Sequence, residues 1–339
     1  MLSSDGLYRI TVVGNPDLSL VRVVMIGLRN PVSDDERPQS FCLWVNELHV
    51  EGFDQTAGWS AIGQLDAKLA DLATIKATGR VETFGFGGVQ TKIGERSRAF
   101  TSDFGIASNV AVDKFLPEQW GFSIPLFLNY DRKQITPTFD PLDPDMRLET
   151  SLDNLRDFGE KERYRRMVID NTTRRGINLS NFRKMRTGTG TRAPHFYDFE
   201  NFAFTYAFND LKKTNVLTES FLQKMYKGQV AYAFSKTATP FEPFKNWKAT
   251  NAYAAFIKDF NLNLYPTSIA VRADVERNFM RTQLRNSDLT TDGQLPYFEK
   301  FFWFNRFYDL TWNLTKSVVV TYNAAARAMV DEPYGDLDT

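Results

Sequence analysis

The clearest pattern in this chain is an alternation of apolar and polar positions on both sides of a short turn near its end. The first arm runs from Phe298 to Leu314, the second from Ser317 to Val330, and Thr315-Lys316 lies between them. A period of two is typical of a strand with one apolar and one polar face. The alternating apolar positions are Phe302, Phe304, Tyr308, Leu310, Trp312 and Leu314 in the first arm, and Val318, Val320, Tyr322, Ala324, Ala326 and Ala328 in the second. The pattern predicts a β-hairpin.

Both arms are longer than ordinary strands, which have about 5–6 residues. A strand that crosses a bilayer at a tilt needs about 9–11 residues. We therefore interpret the hairpin as two strands of a transmembrane β-barrel whose apolar face contacts lipid.

The same alternation recurs from Gly58 onward, and it predicts about eleven long strands in residues 57–339. The other alternating segments are Trp59–Leu69, Ile75–Glu82, Phe104–Val112, Phe122–Tyr130, a strand from near Arg175, Phe202–Phe208, Val230–Phe234, Phe260–Leu264 and Ile269–Val275. Short connections are expected at Ala70–Ala73, Lys114–Gln119, Tyr265–Thr267 and Thr315–Lys316. In a barrel the short turns lie on one side of the membrane. The count of strands between these turns breaks that parity, so either one strand between Asp131 and Lys258 is miscounted or an insertion crosses sides.

The apolar faces of these strands define the candidate functional surface. The residues expected to face lipid are Phe202, Phe204, Tyr206, Phe208, Tyr308, Leu310, Trp312, Leu314, Val318 and Val320. Arg306 is the exception on an apolar face, and its distance from Leu314 predicts a position near the far rim, where its guanidinium reaches water. The polar faces predict a lumen filled by water or by other parts of the protein.

Two segments depart from this pattern. Residues 1–56 contain three short apolar segments and a polar loop, which indicate the end of a soluble, sandwich-like β-domain. One short helical insertion is expected near 143–170, with Asp143 as N-cap, Pro144 at the first helical position and a break at Gly159. The fold class is thus all-β: part of a very large antiparallel transmembrane β-barrel, preceded by the end of a soluble domain.

Composition narrows the possible functions. The 41 basic and 41 acidic residues balance, whereas a nucleic-acid-binding protein is expected to be distinctly basic. The single Cys42 permits no internal disulfide or thiolate metal site, and His49 and His195 are the only histidines. No catalytic, cofactor or metal motif is found, and no enzyme activity is expected.

No run of 18 apolar residues exists, which excludes a helical membrane span. The first residues show no export signal, so a barrel chain of this kind is expected to be an internal fragment.

Several stretches together resemble one family over nearly the whole chain. They are Leu43–Leu48, Phe53-Asp54, Gly58–Ala61, Lys68–Asp71, Phe84–Gly87, Pro194–Phe202, Ile257–Asn261, Tyr308–Leu310, Leu314–Ser317 and Asp331–Pro333. They resemble the SprA (Sov) family, the outer-membrane translocons of the Bacteroidota type 9 secretion system, which are also tied to gliding motility. The resemblance implies a very large single-chain barrel in the bacterial outer membrane that passes folded proteins to the cell surface.

The resemblance also implies partners: a PorV-type outer-membrane barrel, a periplasmic plug protein and the secreted substrate proteins. Membrane lipid is expected around the strands, and no nucleic acid. Two other functions remain open. A passive porin or TonB-dependent transporter would share the strands but is expected to carry a plug and a TonB box at its start. A soluble β-rich surface adhesin would bury Phe202, Phe204, Tyr206 and Phe208 against a second sheet.

Overall fold

A computed structural model describes residues 42, 44, 56–92, 95–144, 146–187, 195–246, 257–286 and 294–335. The soluble domain predicted for residues 1–56 therefore lies almost wholly outside the described residues, and its boundary stays a prediction. None of the described helices is long and apolar enough to cross a membrane.

The described part of the chain is dominated by long strands. They are β1 (Ser60–Leu69), β2 (Ala73–Glu82), β3 (Ala99–Ala111), β4 (Phe122–Ser123), β5 (Pro125–Pro137), β6 (Asp170–Lys184), β7 (Phe202–Thr214), β8 (Thr218–Ser235), β9 (Ser268–Leu284), β10 (Tyr297–Asn313) and β11 (Val319–Val330). They form one sheet in the order β1-β2-β3-β5-β6-β7-β8-β9-β10-β11, and the short β4 pairs with β6. The all-β prediction is confirmed. Within the described residues the sheet is not closed, so the large barrel stays a prediction.

The hairpin predicted at residues 298–330 is present in the structure. β10 and β11 are antiparallel, and Tyr308 lies opposite Ala324, Leu310 opposite Tyr322 and Trp312 opposite Val320. Residues directly opposite each other in such a pair share a face, so the two apolar sides coincide. Leu314 and Val318 lie in the connection rather than in the strands, where the Thr315 N–H donates to the Val318 carbonyl over 3.2 Å.

The strands and turns differ from the prediction in three places. Phe260–Leu264 is not a strand: it makes one isolated bridge, from Leu262 to Phe241. The stretch read as Phe122–Tyr130 is divided at Ile124 into β4 and β5. A tight turn at 215–217, which the sequence pattern missed, joins β7 to β8; there the Asn215 side chain accepts from the Leu217 and Thr218 N–H groups. Removal of the false strand does not restore the parity: without the short β4, the connections 70–72 and 314–318 follow the first and ninth long strands, but the turn at 215–217 follows the sixth.

The insertion near 143–170 is helical, as predicted, and it holds two helices: α1 (Leu148–Asn154) and α2 (Phe158–Val168). Asp143 does not cap a helix; its carbonyl accepts from the Met146 N–H in a turn, and Arg147 is the N-cap of α1. Gly159 lies inside α2. There the Glu160 N–H donates to the carboxylate of Asp157. The charged stretch 160–166 is therefore helical.

The described residues divide into two compact units: those within 1–61, 81–101 and 135–168 form one, and those within 62–80, 102–134 and 169–339 form the other. The first unit has a small core with Leu148 and Val168 buried. Asp140 is 1% exposed there, and the Tyr164 hydroxyl donates to it over 2.5 Å. Burial, followed by this hydrogen bond, raises the pKa of Tyr164. The second unit carries most of the sheet, including the whole of β6–β11.

Candidate functional site: the two faces of the sheet

The registers of β6–β11 align side chains into rows that cross the sheet. One row contains Phe202, Tyr232, Val271, Tyr308 and Ala324; the next contains Phe204, Val230, Ala273, Arg306 and Ala326. We call the side of β6–β11 that carries these rows the aromatic face, and the opposite side the polar face. The sequence predicted the alternation within each strand, and the structure shows that the apolar sides of neighbouring strands coincide.

Eight of the ten residues predicted to face lipid lie on the strands of the aromatic face, and the other two are Leu314 and Val318 in the turn. None of the ten is buried. Tyr206 is 46% exposed and Val320 41% exposed. Their contact with lipid stays a prediction.

A chain of aromatic rings crosses one end of this face. It depends on an irregularity between Leu179 and Phe182 in β6, where Asn181 has a φ of 54°. The irregularity changes the alternation, so that Phe182 lies opposite Phe204. The ring pairs are Trp120–Phe122 at 6.3 Å, Phe122–Phe182 at 5.8 Å, Phe182–Phe204 at 6.0 Å, Phe204–Phe199 at 6.1 Å and Phe202–Tyr232 at 5.1 Å between centroids. Girdles of aromatic residues mark the interfaces of transmembrane barrels.

Arg306 does not lie at the rim, which corrects the sequence-based expectation. It lies opposite Ala273 on one side and Ala326 on the other. The apolar rows continue beyond it with Phe304, whose ring centroid is 5.1 Å from the guanidinium carbon. Along β10, Arg306 is midway between Lys300 and Trp312, so it occupies the middle of the apolar band.

The polar face carries both signs of charge in equal number along its central rows. Lys227 and Glu276 pair at 2.9 Å, and Arg272 and Asp274 at 3.2 Å. Asp309 and Arg327 belong to the same face. Two aromatic rings on this side are covered by cations: Arg272 lies 4.2 Å from the centroid of Phe307 and Arg327 lies 3.8 Å from that of Trp303. The charges in the central rows of the polar face therefore neutralise one another.

Sequence reasoning missed a set of cations at the other end of the aromatic face, which we call the cationic belt. Its members are Arg175, Lys212, Lys224, Arg277, Arg281 and Lys300. They hold the same alternating positions as the aromatic residues farther along each strand: Lys212 continues the series of Phe204 and Phe208 in β7. The alternation places each cation on the apolar side of its own strand, but only the registers join the cations into one belt.

These observations define a class: an antiparallel sheet of long strands with one apolar, aromatic face and one charge-balanced polar face. The SprA_N family model, described as "Motility related/secretion protein", matches residues 3–152. This match confirms the resemblance to the SprA family and indicates a motility- or secretion-related protein. No curated protein matches the chain. The two faces were derived from β6–β11, which lie after the matched residues, so the family match and the surface chemistry are independent observations.

Proposed function

We propose that this chain is a segment of the protein-conducting outer-membrane translocon of the type 9 secretion system. In this role the aromatic face of the sheet contacts lipid and the polar face lines the conduit. The single observation that carries the proposal is the segregation of side chains in β6–β11, where the registers place apolar rows on one side and paired charges on the other. The SprA_N match supports the secretion role.

The length of the strands supports a membrane-spanning sheet. From Lys300 to Trp312, β10 rises about 40 Å at 3.3 Å per residue. With a tilt of about 40°, that length spans about 30 Å, the thickness of the hydrocarbon core of a bilayer. A closed barrel is the arrangement that leaves no strand edge unpaired in lipid, and we therefore infer a larger barrel that contains these strands.

The chemistry of the polar face supports conduction of proteins rather than selection of ions. Ion-selective pores are lined by rings of charge of one sign. Here Lys227 is neutralised by Glu276 and Arg272 by Asp274. A protein in the conduit therefore experiences little net electrostatic field from these residues. A PorV-type barrel, a periplasmic plug protein and secreted substrate proteins are the partners we propose on the basis of the family.

The adhesin alternative requires a second sheet over the aromatic face. The described residues form a single sheet, and Tyr206 in the middle of the aromatic face is 46% exposed. These observations favour the membrane assignment for β6–β11.

Spin labels at neighbouring positions of opposite parity test the membrane assignment. Labels replace Tyr206 or Leu310 on the aromatic face and Thr205 or Thr311 on the polar face, in a Cys42→Ser background. In lipid vesicles we expect the first pair to be accessible to oxygen and the second pair to a water-soluble nickel chelate. Equal accessibility of all four labels to the chelate would overturn the assignment.

A photo-crosslinker in living cells tests conduction. Placed at Gln229 on the polar face, it is expected to capture a tagged secreted protein that has been stalled during export. The same group at the adjacent Val230, on the aromatic face, is the matched control and is expected to capture none. Equal capture at both positions would contradict the assignment of the polar face to the conduit.

A further inference from the structure

Arg306 is a cation without an anion in the apolar band of the aromatic face. Its Nε atom is buried and has no hydrogen-bond acceptor among the described residues. The contact that the structure gives its guanidinium is the ring of Phe304, whose centroid is 5.1 Å away. A charged donor that is removed from water without an acceptor destabilises a fold. In a membrane-spanning segment, an ionisable side chain of this kind commonly marks a functional site.

The rows around Arg306 supply no acid. The other members of its own row and of the rows on either side, from β7 to β11, are Phe204, Val230, Ala273 and Ala326, then Phe202, Tyr232, Val271, Tyr308 and Ala324, then Tyr206, Gly228, Val275, Phe304 and Ala328. Towards the cationic belt, the first carboxylates are those of Asp210 and Glu332, near the row of Lys300, about 20 Å away along the strand. Both already lie beside cations, so neither is an acceptor for Arg306.

The depth of Arg306 also separates it from lipid phosphates. It lies midway between Lys300 and Trp312 in β10. With a strand tilt of about 40°, it is about 15 Å from either end of this segment, which is farther than an Arg side chain extends. A second copy of the same face brings only apolar residues and another Arg306 to this depth. The acceptor therefore has to come from a different segment inside the membrane.

The side chains next to Arg306 are small. Ala273 and Ala326 flank it in the neighbouring strands, and Ala324 and Ala328 continue the same side of β11. At interfaces between membrane-spanning segments, small residues allow the two backbones to approach closely. These four alanines therefore leave room for a second segment against β9–β11, beside the guanidinium.

We propose that Arg306 and these alanines form a docking site for a membrane-embedded protein segment that presents an Asp or Glu carboxylate at the middle of the bilayer. The inference rests on the proposed function, because it takes the aromatic face as the lipid-contacting side. Charge complementarity identifies the partner: a guanidinium in an apolar band is matched by one carboxylate at the same depth. Arg binds a carboxylate through two parallel hydrogen bonds, which fixes the orientation of the partner as well as its position.

A pair of synthetic peptides tests this chemistry. The probe is a membrane-spanning leucine–alanine helix of about 20 residues with a central Glu, and its matched control has Gln there. Each is reconstituted with the 339-residue chain in phosphatidylcholine vesicles at mildly alkaline pH. Energy transfer from a dye on the peptide to a dye at Gln294→Cys, an exposed position, measures association in a Cys42→Ser background.

Two variants of the chain are compared. Arg306→Gln removes the docking cation, whereas Arg327→Gln removes a cation of the neighbouring strand on the polar face, where it lies opposite Asn305. Strand content by circular dichroism checks the folding of both. We expect the unsubstituted protein and Arg327→Gln to bind the Glu peptide several-fold more tightly than the Gln peptide, and Arg306→Gln to bind the two equally. Equal binding of both peptides by the unsubstituted protein, or an undiminished preference in Arg306→Gln, would overturn the docking proposal.

A spin label at Tyr206 in the same vesicles distinguishes this failure from failure of the proposed function. Access of the label to oxygen upholds the membrane assignment whatever the peptides do, and access to the nickel chelate instead refutes it.

A further strand of a larger barrel, placed beside β11, is the remaining source of a carboxylate. The peptide comparison is therefore repeated with the whole translocon after removal of other proteins. A preference for the Glu peptide that persists there supports a separate partner. A preference that is present in the 339-residue chain and lost in the whole translocon would assign the acceptor to the barrel itself and overturn the docking proposal.

Discussion

Glu332 accepts two hydrogen bonds from Arg277: Oε1 lies 2.6 Å from Nε and Oε2 lies 3.0 Å from Nη2. Arg277 belongs to β9 and Glu332 follows β11, so the pair bridges the two strands that flank β10. The side chains are 20% and 13% exposed. Nearby, Lys300 donates to the Pro333 carbonyl and Tyr334 packs edge-on against Phe298. The ion pair thus fastens the segment 331–335 to the sheet.

Glu332→Gln keeps the shape of the side chain and removes its charge. Because a partly buried, charge-assisted pair is lost, we expect the free energy of unfolding to fall by about 1–3 kcal/mol. Urea unfolding in detergent micelles, followed by tryptophan fluorescence, measures it. Glu299→Gln on the polar face of β10 is the control. An equal loss of unfolding free energy in that variant would show that the net charge, rather than the ion pair, matters.

Local alternation was sufficient to predict the hairpin, whereas the predicted two-residue turn would shift its register by one residue from that of the structure, in which Trp312 lies opposite Val320. Two long arms and a short turn leave little freedom, because a slip of one residue would bring Tyr308 opposite a residue of the other face. The same reasoning failed at Phe260–Leu264, where alternation is present but none of the described strands pairs with the segment. There Asn263 is 5% exposed, its N–H donates to the Leu314 carbonyl, and its own carbonyl accepts from the Trp312 indole over 2.8 Å. Alternation describes one strand, and pairing depends on the rest of the fold.

The aromatic half of the candidate surface was predictable, and the charged half was not. Phe202, Phe204, Tyr206 and Phe208 stand out in the sequence because they alternate with small and polar residues. The belt cations come from different strands and become one group only through the registers. The irregularity near Asn181 changes the parity of β6, and the sequence shows it only as a change of phase from Ile177 and Leu179 to Phe182.

Arg306→Leu tests the position of Arg306 in the apolar band. A lipid-facing Arg at mid-bilayer costs about 2–4 kcal/mol, and its contact with the Phe304 ring offsets about 0.5–1 kcal/mol. We therefore expect Leu to stabilise the protein in vesicles by about 1–3 kcal/mol, as measured by guanidinium unfolding. Arg272→Leu on the polar face is expected to destabilise it, because Asp274 loses its partner. Destabilisation by Arg306→Leu would show instead that its guanidinium has an acceptor.

The lowered pKa of Glu242 predicts that a contact outside the strands weakens at acidic pH. Hydrogen bonds from Lys316, followed by Lys245, hold its pKa below the ordinary value of 4.5. The contact between residues 241–246 and the turn at 314–318 is therefore complete above pH 4.5, and it is lost as the pH falls through the lowered pKa. We expect hydrogen exchange in the 314–318 peptide, corrected for its intrinsic rate, to rise over that acidic range.

Glu242→Gln provides the control for this response. The variant is expected to exchange faster at neutral pH and to show no further acidic rise in that peptide. An acidic rise of the same size in the variant would assign the response to another carboxylate.

Asn181 holds the positive φ on which the aromatic chain depends. Asn adopts the left-handed region more readily than most residues, whereas a β-branched side chain there is strained by about 1–2 kcal/mol. Its N–H also donates to the Thr205 hydroxyl over 3.1 Å. We expect Asn181→Val to lower the free energy of unfolding by that amount and to move Phe182 away from Phe204, whereas Asn181→Gly keeps both. Solvent quenching of a fluorescent label at residue 182 measures the change of face, and unchanged quenching in the Val variant would show that pairing with β7, rather than the conformation of Asn181, holds Phe182 in place.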